Sequence, residues 1–260
     1  MELSVAANWN QTSEDWCRII KLSPEGCRCI EDDGKVVATA TLLPYGTRLA
    51  WIGMVLTQPD YRRQGLARLL MEDAIAAAEH GGIHTLKLDA TDEGRPLYED
   101  LGFVVETRIE RWGRDSGAPT PMKIDVDLQR DLSNELFALD AEAFGASRRR
   151  LLESLSNAGR RNVTSNGYVF SRSGREAQYL GPCVASSETE AKQLIAAHLG
   201  EAANVRGRWY WDLLPANTEA VQCAESFGFT RRRELWRMRR GTMMENNDAM
   251  VYAIAGFELG

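Results

Sequence analysis

The run Arg62-Arg63-Gln64-Gly65-Leu66-Ala67 stands between an apolar, strand-like stretch, Trp51 to Thr57, and an uninterrupted helical stretch, Leu66 to Glu79. A helix N-terminus carries backbone N–H groups with no intrahelical partner and the positive end of the macrodipole. A turn leading into it can therefore hold a diphosphate on main-chain donors. Gly65 removes a Cβ from the line of approach, Ala67 is small for the same reason, and Arg62, Arg63 and Arg68 add charge at the rim. Alone, such a run also describes a polar helix entry with one permissive glycine, so its surroundings decide. Downstream, a second strand-like stretch, Thr85 to Thr91, leads into Gly94-Arg95-Pro96-Leu97-Tyr98-Glu99-Asp100-Leu101-Gly102-Phe103, a short helix closed by glycine before a new apolar run.

In Val55-Leu56-Thr57-Gln58-Pro59-Asp60-Tyr61 continuing through Ala67, and in Leu88-Asp89-Ala90-Thr91 through Phe103, the sequence resembles the GNAT superfamily of N-acetyltransferases. The resemblance runs from Trp9 to Arg114. It implies an α/β chain with a mixed sheet in the acyl-CoA N-acyltransferase fold, using acetyl-CoA as co-substrate to acetylate a primary amine by direct attack in a ternary complex. Val55, Leu56 and Thr57 would pair through main chain with pantetheine as an added strand, and Arg62, Arg63, Gln64, Gly65, Leu66, Ala67 and Arg68 would hold the diphosphate. Tyr98 matches the family tyrosine that protonates the leaving thiolate, and its ordinary pKa of about 10 lies near that of an alkyl thiol. Asp89 falls where several relatives carry a carboxylate that deprotonates the amine through water, with Glu93 as second choice. It shares a strand face with Lys87 and equally fits a salt-bridged carboxylate. Tyr45 and Trp51 are further candidates for the acceptor pocket, with the core the alternative for Trp51. The chain departs from the family pattern in two places: only eight residues precede Trp9, where a strand and most of a helix are usual, and no asparagine stands in the short link Asp92-Glu93-Gly94.

The elements that must position these residues read in order. A helix spans Trp9 to Ile20; strands cover Cys27 to Glu31, Val36 to Leu43 and Leu49 to Thr57, with an Asp33-Gly34 hairpin signal. The cradle helix stops at Gly81-Gly82 and is followed by strand Thr85 to Thr91, helix Arg95 to Leu101 and strand Phe103 to Trp112. This places a first domain at residues 1–116, a Gly- and Pro-bearing linker at 117–122 and a second domain at 123–260. The second half weakly repeats the first: Tyr179-Leu180-Gly181 echoes Trp51-Ile52-Gly53, Trp209 to Leu214 echoes Leu86 to Asp89, Cys223 to Phe229 echoes Leu97 to Phe103, and Leu235-Trp236-Arg237 echoes Ile109 to Trp112. The expected architecture is two tandem GNAT-like domains, the second lacking the CoA cradle. Pro182-Cys183-Val184-Ala185-Ser186-Ser187-Glu188 offers neither glycine nor arginine, and Ala224 stands in place of Tyr98. A further segment, Leu139-Asp140-Ala141-Glu142-Ala143-Phe144-Gly145-Ala146-Ser147-Arg148, is similar to an element in the C-terminal domains of some bacterial two-domain GNAT proteins. It reads either as substrate-facing or as a helix with a glycine C-cap.

Composition narrows the classes. With 260 residues, 44% hydrophobic and 26% charged, the chain has ample material for one or two cores. No apolar run approaches the roughly 20 residues of a membrane helix, and the N-terminus lacks a signal core, so a cytoplasmic protein without a membrane partner is expected. The five cysteines form no C-x-x-C pair, and the three histidines offer no ligand spacing, so neither disulfides nor a metal is expected; Cys27 and Cys29 read as buried or half-buried thiols. Net charge is −6, and the arginine clusters at Arg148–Arg150, Arg231–Arg233 and Arg239–Arg240 read as solvated or interdomain rather than nucleic-acid binding. The expected partner is a small-molecule amine acceptor, in a monomer or homodimer. A non-catalytic acyl-CoA sensor or scaffold and a protein or peptide N-acetyltransferase are the alternatives.

Overall fold

The computed structural model describes residues 1–115, 126–129, 131–202 and 207–260. The linker expected at 117–122 lies outside the described residues. In chain order, α1 (Glu2–Ala6) and α2 (Ser13–Leu22) precede β1 (Cys27–Asp32), β2 (Lys35–Tyr45) and β3 (Leu49–Thr57), followed by α3 (Leu66–His80), β4 (Thr85–Ala90), α4 (Arg95–Asp100) and β5 (Val104–Arg114). Then come α5 (Asn134–Phe144), α6 (Arg149–Ala158), β6 (Arg160–Val163), β7 (Gly167–Arg172), β8 (Gln178–Ala185), α7 (Glu188–Glu201), β9 (Trp209–Leu213), α8 (Thr218–Ser226), β10 (Thr230–Gly241) and β11 (Val251–Ala253). Among the described residues no helix is long and apolar enough to cross a membrane.

The described chain divides into two compact units, and neither is a single stretch of sequence. The first comprises Met1–Glu106, Trp236–Met243 and Phe257–Gly260; the second comprises Thr107–Leu235 and Met244–Gly256.

In the first unit the strand order is β1-β2-β3-β4, completed by Trp236–Gly241 of β10 lying antiparallel to β4. Asp33 and Gly34 both take positive φ (48° and 72°), as a two-residue turn matching the twist of the β1–β2 hairpin requires. Leu42, Ala50, Ile52, Leu86 and Leu88 pack on Met71, Ala74 and Ala78 of α3. Strand alternation then turns Thr41, Trp51, Gly53, Lys87 and Asp89 to the opposite face. The helix expected from Trp9 begins instead at Ser13. Thr12 and Asp15 form a capping box there, which fixes the start more firmly than the upstream tryptophan. α1 opens the chain, and no strand precedes it among the described residues. Cys27 is half-buried but Cys29 is exposed, contrary to expectation, because β1 is the edge strand of this sheet.

In the second unit β6, β7, β8, β9 and β5 follow one another, with β11 on β8. Leu194 and Ile195 of α7 pack on Leu180, Trp211 and Leu213 in its core. Sequence order alone would set β5 beside β4. Instead β5 pairs with β9 through Arg111↔Asp212, and β10 pairs with β4 through Arg237↔Asp89.

Candidate active site

The cleft of the first unit starts with a bulge. The β2–β3 register passes from Thr41↔Gly53 to Thr39↔Leu56, so β3 carries an extra residue, and Met54 adopts φ 49°. Thr39 Oγ1 donates to Met54 O at 2.8 Å and pins the irregularity. On its other edge β3 pairs with β4 only from Leu49↔Thr85 to Trp51↔Lys87. Beyond that point, Val55, Leu56 and Thr57 run on with no paired strand on the β4 side among the described residues. This is the splayed geometry into which an extended ligand can add as a strand.

At the mouth of the splay the chain turns through Arg62, Arg63 and Gln64 into α3. Arg63 has φ 62° and Gly65, the N-cap, has φ 83°. A Cβ built on Gly65 would meet nothing within 4 Å, so the glycine answers to its left-handed backbone and to an open approach rather than to crowding. No side chain caps α3 and its first turn holds no acid. Gln64 Nε2 donates back to Asp60 O at 3.1 Å, Arg62 Nε reaches Thr57 O at 3.4 Å, and Arg68 pairs with Asp100 at 2.9 Å. Leu66 and Ala67 are half-buried as the helix begins.

Tyr98, on α4, is 8% exposed and meets Phe103 edge-on at 6.2 Å. Its hydroxyl makes no hydrogen bond among the described residues, and burial pushes its pKa up to about 12. The ring stands over Gly94, whose Cβ would lie 3.1 Å from Tyr98 Cε2. The link before α4 closes on itself, since Gly94 N donates to Thr91 Oγ1 at 3.2 Å, while Asp92 accepts from Trp236 Nε1 at 2.6 Å. Glu93 is exposed.

Asp89 has a different setting from the water-linked carboxylate expected of it. Both its oxygens accept from Arg237, Nε to Oδ1 at 2.8 Å and Nη2 to Oδ2 at 2.9 Å, and its side chain is wholly buried. The same guanidinium lies 4.6 Å over the Trp51 ring. Lys87 beside it pairs with Glu106 at 2.9 Å. Tyr45, expected near an acceptor pocket, and Trp51, expected there or in the core, are both buried and hold the segment from Phe257 to Leu259: Trp51 Nε1 donates to Phe257 O at 2.8 Å and Tyr45 Oη to Leu259 O at 2.5 Å.

The second unit lacks each of these openings. Ser187 caps α7 by accepting from Glu190 N, and Glu188 and Glu190 occupy the first turn, where a diphosphate would meet like charge. β11 pairs with Cys183 and Val184 on the edge where β9 has left β8, and Trp211 Nε1 donates to Tyr252 O at 2.7 Å. Ala224 is buried where the first copy carries Tyr98. Asp140 and Arg148, one possible substrate-facing pair, are instead buried in a mutual bidentate contact that Tyr168 Oη joins. Gly145 ends α5 at φ 88°. Here the glycine C-cap reading holds.

The Acetyltransferase (GNAT) family profile matches residues 4–103, and a second profile, an Acetyltransferase (GNAT) domain, matches residues 136–253. The chain belongs to the GNAT acetyltransferases. It carries two GNAT domains in tandem. The GNAT chain is 30% identical over 173 residues to the uncharacterized N-acetyltransferase YitH of Bacillus subtilis, a match covering 62% of this chain and 60% of that protein's length. It is 23% identical to the holothin acyltransferase of a Pseudoalteromonas species, across 100% of this chain and 90% of that one. A candidate acetyltransferase from Pyrococcus horikoshii shares the GNAT fold at a TM-score of 0.86 and 22% identity, covering 99% of this chain and 90% of its own.

Sequence reasoning did not find Arg237, Trp236, Gln11 or Glu258 as neighbours of the site. The repeat holds one signal: Trp236-Arg237 echoes Arg111-Trp112, and each arginine faces an aspartate across a ladder. Nothing local marks Glu258.

Proposed function

We propose that the chain is an acetyl-CoA-dependent N-acetyltransferase for a small primary amine, with its chemistry in the first unit. The carrying observation is the contrast between the helix N-termini: α3 opens from a left-handed glycine with no cap and no acid, whereas α7 is capped by serine and flanked by glutamates. Acetyl-CoA would supply an acetyl thioester, so that the amine becomes an acetamide and CoA departs as its thiol. The N–H groups of Gly65 to Arg68 would take the diphosphate, with Arg62 and Arg63 at the rim. Main-chain groups of Val55 to Thr57 would align the extended arm and polarise the carbonyl oxygen.

Tyr98 would give its hydroxyl proton to the departing sulfur, and the proton lost by the amine nitrogen balances it through solvent. At about 12 the tyrosine is a weaker acid than the unperturbed value implies. A thiolate formed in the same dry place is desolvated too, so the two affinities for a proton rise together. Asp89 would serve as a clamp rather than a base, since both its oxygens already accept from Arg237.

The test combines calorimetry with CoA and thiol release from acetyl-CoA across a panel of primary amines. Acceptor-dependent release is expected, with Tyr98→Phe lowering kcat tenfold or more and leaving the CoA Kd within about twofold. Binding without release under any acceptor would favour the sensor. Release with unchanged turnover in Tyr98→Phe would remove the tyrosine from the reaction.

A further inference from the structure

The face of the first unit turned away from α3 carries a group of polar atoms that no part of the reaction above uses. Gln11 Nε2 donates to Glu258 Oε2 at 2.8 Å, which fixes the amide's orientation. The other end of that amide, Gln11 Oε1, is buried and accepts no hydrogen bond within the protein; the residue is 9% exposed. Thr41 Oγ1 is likewise buried without a partner, in a residue 2% exposed. Thr41 lies directly opposite Gly53, and strand alternation points both to this face.

Glu258 is seated on that glycine. A Cβ at Gly53 would lie 2.7 Å from Glu258 O and 2.9 Å from its Cα. Trp51 and Tyr45 grip the carbonyls on either side, of Phe257 and Leu259, so the position of Glu258 along β3 is set at three points. Gly53 immediately precedes Met54, the left-handed residue at which β3 bulges.

Buried acceptors left without donors are uncommon in folded proteins, and their presence here calls for a donor from outside. Two such acceptors, an amide oxygen and a hydroxyl, set beside a carboxylate suit a cation bearing several N–H groups. We infer that Gln11 Oε1, Thr41 Oγ1 and the Glu258 carboxylate form the subsite for the ammonium head of the amine acceptor, beside the bulge of β3. The inference rests on the acetyltransferase reading above and deepens it: the acceptor arrives cationic, gives up one proton to solvent before its neutral nitrogen attacks, and the segment around Glu258 selects it. Glu258 is its ammonium-binding residue, Gly53 and Trp51 are positioning residues for it.

The full-length protein is assayed for thiol release from acetyl-CoA with straight-chain alkylamines, alkane diamines, amino-acid amides and amino sugars, and CoA binding is followed separately by calorimetry. For the fastest amine, Glu258→Gln, which keeps its shape and can still accept from Gln11, should raise the amine KM tenfold or more with the CoA Kd within twofold. Gly53→Ala keeps the glutamate but displaces it, and should raise the same KM; Thr41→Val should raise it a few-fold. Melting curves show that each variant is folded, and the split between amine KM and CoA Kd separates a binding role from general loosening. An amine KM unchanged within twofold in folded Glu258→Gln overturns the subsite. So does CoA binding with no release on any amine, which leaves the cradle standing. Absence of CoA binding defeats the cofactor reading itself, and the subsite with it.

Discussion

Asp89 and Asp212 make the same contact in the two units. Arg237 holds Asp89 at 2.8 and 2.9 Å, Arg111 holds Asp212 at 2.7 and 2.6 Å, and each guanidinium lies over an aromatic ring, Trp51 at 4.6 Å and Tyr210 at 4.8 Å. The second unit has this pair without the cradle or the tyrosine, so the pair does not depend on either of them. Removing one partner of a buried pair strands the other charge, at a cost of about 3–5 kcal/mol. Asp89→Ala and Asp212→Ala should therefore lose comparable stability in urea titration. Asp89→Asn should keep turnover within about tenfold of the parent, because no proton passes through it. A much larger fall in kcat with an unchanged melting curve would return Asp89 to the role of base. Tyr98 carries the complementary expectation: with its pKa raised to about 12, its acid form persists throughout the neutral and mildly alkaline range, and kcat should show no falling limb from this group below pH 10.

The contrast between α3 and α7 is one of helix ends, and each end predicts its own mutant. Gly65 is strained by any Cβ because φ is 83°, at about 1–2 kcal/mol, but it has open space around it. Gly65→Ala should thus lower the melting temperature modestly and weaken CoA affinity about tenfold or more, as the new methyl stands in the phosphate approach. Ser187→Ala removes the cap of α7, costing about 1 kcal/mol, and should confer no CoA binding, since Glu188 and Glu190 and the strand β11 remain. These elements were readable from sequence because their signals are local. The strand at Leu49–Thr57 and the helix from Leu66 are bounded by turn residues and by Gly81-Gly82, and the degenerate cradle shows in the absence of glycine and arginine after Gly181. The bulge at Met54 has no local mark in the sequence, because methionine rarely takes positive φ and is held there by Thr39. The partners of β5 and β10 were not readable at all. A period-two pattern says that a strand exists and which face it buries, and it is silent on which neighbour supplies the ladder.

At the scale of the whole molecule the consequence is that contacts essential to the first unit come from the far end of the chain: 148 residues separate Asp89 from Arg237 and 247 separate Gln11 from Glu258. The second unit, taken by itself, contains a group expected to make it acid-sensitive. His198 is fully buried, with Nδ1 2.5 Å from Asn162 Oδ1 and Nε2 2.8 Å from Ser171 Oγ. In the neutral ring Nδ1 donates to Asn162 Oδ1 and Nε2 accepts from the Ser171 hydroxyl. Burial, helped by the charge of Arg160, lowers its pKa from 6.5 to about 3. Between these values the unfolded chain binds a proton that the folded chain refuses. Stability is then complete above pH 6.5 and falls as the pH drops through the window from 6.5 to 3, by about 1.4 kcal/mol per unit at most. Most carboxylates titrate below pH 4.5, which leaves pH 4.5–6.5 as the range where this histidine dominates. Urea titrations across that range, followed by tryptophan fluorescence at concentrations low enough to avoid precipitation near the pI of 5.3, should show stability declining with acid. In His198→Gln, whose amide can still meet Asn162 or Ser171, the whole curve should sit lower but run flat over the same range. Equal slopes in parent and variant would assign the acid sensitivity elsewhere.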